Sequence, residues 1–149
     1  MVTLQLIPDI RYTIAQVMRL AELVRLNVQD SFAMAIVDRD LIDYEWLGWF
    51  EQKLDKARNE GKLSLSDFEA AQFYLMLNLL CKSFFSSLEP VVRNLGLKTP
   101  RQEEYAQARS RILSTAERLM EAIDQKVDLK GQLGERMTRL EKLDTLLDF

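Results

Sequence analysis

Histidine is absent from the 149 residues and cysteine occurs once. Without an imidazole the chain lacks the commonest general base near neutral pH, and with it every Ser-His or Cys-His nucleophilic arrangement. One cysteine and no histidine exclude a structural zinc site. The lone Cys81 has no intramolecular disulfide partner, and its apolar neighbourhood marks it as a small core side chain in a reducing compartment. Five glycines and three prolines leave few turns and imply long helices. The glycines, at 48, 61, 96, 131 and 134, are too scattered to form a phosphate-cradling loop. The longest uncharged run, Ala70 to Cys81, has twelve residues, too few to cross a bilayer. The opening MVTLQLIPDIR has no basic segment and meets Asp9 before any adequate apolar run, so no signal peptide is expected. A cytoplasmic location follows, with no membrane partner. The formal net charge of −3 gives no general attraction to nucleic acid.

What is present describes a helical protein. A composition of 48% hydrophobic and 29% charged residues is that of a globular chain rather than a disordered one. The length suits one domain, 1–149, with 130–149 as a C-terminal helical arm. The segment everything else must pack around is Leu63 to Val92. Phe73, Leu77, Phe84, Leu88 and Val91 share one wide face at 100° per residue, and Leu75 and Leu79 form a second apolar strip. Polar residues keep two narrow arcs, Asn78, Lys82 and Glu89 on one, Gln72, Ser83 and Ser87 on the other. A helix that is apolar nearly all round is one that others surround. Ser66-Asp67-Phe68-Glu69 is a capping box that opens it, and Pro90 kinks or restarts it.

Residues 1–7 alternate only loosely and read as extended or disordered. Pro8 and Asp9 open an amphipathic helix whose stripe is Ile10, Ile14, Val17, Ala21, Val24 and Val28. Phe32 to Val37 is a short apolar run, read as helical because a lone strand has no ladder partner. Asp38 or Asp40 is the expected cap of a helix over 41–60, whether 30–60 is one helix or two. The core face of that helix is Trp46, Leu47, Phe50, Leu54 and Ala57, and Gly61 ends it. Gly96 suits a Schellman-type ending after the central helix. Thr99-Pro100-Arg101-Gln102 is the clearest start signal in the chain. It leads a stripe of Tyr105, Ala108, Ile112, Ala116, Leu119, Met120, Ile123 and Val127. Gly131 and Gly134 interrupt it, and Leu133, Met137, Leu140, Leu143 and Leu147 resume a stripe.

Few residue sets could carry chemistry. Glu117, Glu121 and Asp124 fall on one helix face and could bind magnesium. Glu121-Ala122-Ile123-Asp124 resembles the E-x-x-D half of the two-helix metal motif of MazG-type pyrophosphohydrolases, but no E-x-x-E half lies upstream. Arg118, three residues before Glu121, makes a surface ion pair the simpler reading. The acidic cluster Asp38, Asp40, Asp43 and Glu45 lacks the glycine and terminal glutamate of a calcium loop. Arg101, Arg109, Arg111, Arg118, Lys126 and Lys130 are interleaved with acids, the pattern of a solvated face rather than a phosphate-binding stripe. Nucleic acid is therefore not the expected partner.

The aromatic group Tyr44, Trp46, Trp49 and Phe50 is the best recognition candidate. Trp46 points with Phe50 into the expected core, whereas Trp49 lies at the margin, where a ring can seal an edge or reach a partner. The stripe Leu140, Leu143 and Leu147 must fold back or form a two-helix seam with a second chain. The sequence thus predicts an all-α protein, a single bundle of four to five helices around about 66–92. Its expected function is protein–protein interaction, as an adaptor, assembly factor or regulatory subunit acting through helix faces. Another protein is the expected partner and a homodimer the expected assembly. Trp46, Trp49, Leu140, Leu143 and Leu147 are the partner-binding residues, with no catalytic residue, metal or cofactor expected. The alternatives are a magnesium-dependent helical nucleotide hydrolase and a small subunit associated with nucleic acid.

Overall fold

A two-stranded antiparallel ladder joins the start of the chain to its middle. Strand β1 (Val2–Gln5) pairs with β2 (Lys62–Leu65) in the register Val2 with Leu65, Thr3 with Ser64, Leu4 with Leu63 and Gln5 with Lys62. The computed structural model of the protein describes residues 1–25, 43–87 and 99–147. Within these the helices, in chain order, are α1 (Pro8–Arg25), α2 (Tyr44–Ala57), α3 (Asp67–Ser87), α4 (Thr99–Asp124), α5 (Leu129–Leu133) and α6 (Glu135–Leu147). The protein is mostly helical, as expected. The ladder is the departure from an all-α chain. Leu63 and Leu65 are not the prelude to the central helix but one face of a strand. Their partner lies about sixty residues away, beyond the reach of any local pattern. The alternation is clean: Val2, Leu4, Leu63 and Leu65 are buried, while Thr3, Gln5 and Lys62 are exposed.

Gly61 makes the ladder geometrically available. It has φ of 71°, a left-handed conformation that a side chain disfavours. Its amide donates to the Ala57 carbonyl at 3.0 Å, and its own carbonyl accepts from the Leu6 amide at 2.8 Å. The helix therefore ends and the strand begins within a few residues. Helix α2 itself is capped by Asp43, whose Oδ1 accepts from the Trp46 amide at 3.1 Å. That corrects the expectation that Asp38 or Asp40 is the cap. Both of those residues, with Phe32 to Val37, lie outside the described residues, as do Leu88, Pro90, Val91 and Gly96.

Helix α3 is the central element, as its composition demands. Ala70, Ala71, Phe73, Leu75, Met76, Leu77, Leu79 and Leu80 are all at most 2% exposed. It lies against α1, α4, α5, α6 and β2. Each such large side chain contributes roughly 1.5–3 kcal/mol by leaving water, so among the described elements this helix supplies the largest single share of the core. One expectation on this helix fails. Gln72, assigned to a polar arc, is buried, and its Oε1 accepts from Arg136 Nη1 at 2.8 Å. The cause is α6, which brings its arginine over that arc and converts a solvent face into a contact. Gln72 Nε2 finds no hydrogen-bond partner among the described residues.

The expected stripe is found for Ile112, Ala116, Leu119 and Ile123 on α4 and for Val127 just beyond it, all buried. After Asp124 the chain turns. Asp128 Oδ1 accepts from the Gly131 amide at 3.2 Å and caps α5. Gly134, at φ 57° and ψ −127°, occupies a region essentially reserved for glycine. It redirects the chain so that α6 returns along α3 instead of extending α4.

Candidate functional site

The face where α2 meets the start of α3 collects the features that could recognise a ligand or partner. Trp46, Phe50 and Phe73 form an internal ring stack. The first pair is 4.8 Å apart between centroids and nearly parallel, the second 5.3 Å apart and tilted. Trp46 is 6% exposed and Phe50 1%. Trp49 lies at the margin of the core face, about 100° from Phe50, and is 70% exposed. One helical turn further on, Lys53 donates to both oxygens of Glu69, at 2.6 and 2.7 Å. This pair ties α2 to the first turn of α3, which also carries the exposed Phe68.

Glu69 serves two structures at once. The Glu69 amide donates to Ser66 Oγ at 3.2 Å, and the Ser66 amide donates to Glu69 Oε1 at 3.0 Å, completing the capping box read from the sequence. Burial alone would raise the carboxyl's pKa. The hydrogen bond from Lys53, the bonds with Ser66 and the Lys53 charge together outweigh that and hold it below its ordinary value. A carboxylate with a depressed folded-state pKa contributes stability above its unfolded pKa, and this is lost as pH falls through the folded value. The protein should therefore lose stability on acidification below about pH 4.5 more steeply than Glu69→Gln does. At neutral pH that variant should be weaker by on the order of 1 kcal/mol, with the charged hydrogen bonds discounted for the exposure of Lys53. Melting temperatures across the acid range check this. Parallel curves for the two proteins would remove Glu69 from the acid response.

The remaining sequence candidates are dispersed. Leu140 is 0% exposed, enclosed within its own chain by the return of α6, and so offers no accessible surface. Leu143 and Leu147 belong to α6, but their side chains lie outside the described residues. Glu117, Glu121 and Asp124 are exposed on α4. Among the described residues no three acidic or cysteine side chains converge on a point that could hold a metal ion. Arg111 pairs with Asp9 across α4 and α1, and Arg118 donates to Thr115 within its own helix. Two of the basic residues are thus engaged inside the chain. No helix among the described residues is long and apolar enough to cross a membrane.

A groove of about 600 Å³ runs between α1 and α2. Leu6, Ile14 and Leu54 line it, and Arg11, Glu51, Asp55 and Arg58 supply charges of both signs. Nothing in the sequence pattern announced it, because its two walls come from helices whose facing surfaces are each ordinary. Against protein-family models, curated proteins and solved structures, the chain has no match.

Proposed function

We infer that this protein is a protein-binding module, an adaptor, assembly factor or regulatory subunit. In this reading it is one helical bundle built around α3, presenting the outer face of α2 to another protein. One observation carries the reading: Trp49 stands 70% exposed on a helix whose Trp46 and Phe50 rings are sealed inside. A tryptophan in water leaves a large apolar surface uncovered, and such rings are enriched among the few residues that dominate binding energy. The Lys53–Glu69 pair and Phe68 give the same face a charged and an aromatic neighbour, the mixed character of a recognition patch.

Trp49→Ala tests the reading. Affinity for the partner retained on immobilised wild-type protein should fall about 30-fold, the equivalent of a 2 kcal/mol anchor, while the fold is unchanged. A partner bound equally by both proteins would place the interface elsewhere.

A further inference from the structure

We propose that the outer edge of β1 pairs antiparallel, about a two-fold axis, with β1 of a second copy of this chain. This goes beyond the Trp49 face and does not depend on it. The ladder's hydrogen bonding selects the groups involved. The Leu6 amide donates to the Gly61 carbonyl, which sets the parity of the register: Val2, Leu4 and Leu6 turn their backbone groups toward β2, and Thr3 and Gln5 turn theirs outward. Both residues are exposed, and among the described strands only β2 pairs with β1. Unpaired strand edges are templates for another strand.

Charge and register choose the occupant. The outward positions of β1 are uncharged, so nothing repels a second copy. The outer edge of β2 carries the exposed Lys62, a charge that marks a protected edge. The two-fold register that uses all the outward groups sets Thr3 opposite Gln5 of the second copy, giving four hydrogen bonds centred on Leu4. The same register sets Met1 opposite Ile7 of the second copy, and these are the two exposed apolar side chains that flank the strand, at 84% and 52%. The strand end is thus self-complementary in backbone, charge and apolar surface. So short a contact belongs to the weak class of interfaces, so a concentration-dependent equilibrium is expected.

Light scattering on the full chain at rising concentration tests it. The mass should climb from 17.4 kDa toward twice that value in the high-micromolar range. Thr3→Pro removes an outward amide and spares every backbone bond to β2. It loses besides only the long, exposed contact of the Thr3 and Ser64 hydroxyls at 3.5 Å, so it should hold the mass at the monomer value with a melting temperature near that of wild type. Gln5→Lys, which places a charge on the edge, should do the same and decides the matter if the proline variant fails to fold. A wild-type protein that stays monomeric throughout overturns the proposal, as does a dimer that survives Gln5→Lys.

Discussion

Leu77→Ala is expected to lower the unfolding free energy by about 2–5 kcal/mol, the range for truncating a leucine in a close-packed interior. Leu77 is 0% exposed and sits at the middle of α3, the helix that lies against four others and β2. With neighbours on every side, no single element can move in to fill the space, which places the cost toward the upper part of that range. Total stability for a domain of this size is about 5–15 kcal/mol, so the loss would be visible as a large drop in denaturation midpoint. Chemical denaturation at 25 °C measures it. A variant within about 0.5 kcal/mol of wild type, the range typical of surface changes, would mean that α3 is not the load-carrying centre of the core.

The two tryptophans should separate by a comparable margin. Trp46→Ala removes a ring stacked at 4.8 Å on Phe50 and should cost about 3–5 kcal/mol. Trp49→Ala removes a ring already in water and should stay within about 0.5 kcal/mol. A third variant isolates the reason. Trp46 Nε1 is buried without a hydrogen-bond partner among the described residues, and an orphaned donor carries an unrecovered desolvation cost of about 1–3 kcal/mol. Trp46→Phe keeps an aromatic ring while removing that donor, so it should be far milder than Trp46→Ala. Thermal melts of the three variants give the order directly. If Trp49→Ala unfolds while Trp46→Ala stays folded, the assignment of Trp46 to the core and Trp49 to its margin is reversed.

Much of the candidate face was legible before any coordinates. The offset of about 100° between Phe50 and Trp49 follows from helical geometry, and it puts Trp49 at the margin of the core face formed by Trp46, Leu47, Phe50 and Ala57. The Ser66–Glu69 box was equally readable, since both of its hydrogen bonds form between residues three apart. The partner of Glu69 was not. Lys53 lies sixteen residues upstream in a different helix, and nothing in either helix's own pattern says that the two meet.

The sequence by itself determined the longer helices, their apolar faces, the starts of α1, α3 and α4 and the centrality of 67–87. These are consequences of interactions between residues a few positions apart: capping, the 3.6-residue period and the conformational limits of glycine and proline. Only the tertiary structure decided what those faces meet. It paired Val2–Gln5 with Lys62–Leu65, turned α6 back through Gly134 so that Leu140 is enclosed, and set Arg136 on Gln72. The reason is the same in each case. A four-residue strand or a single buried amide gains its energy from a partner some sixty residues distant, and a local pattern carries no record of that partner until the chain has closed around α3.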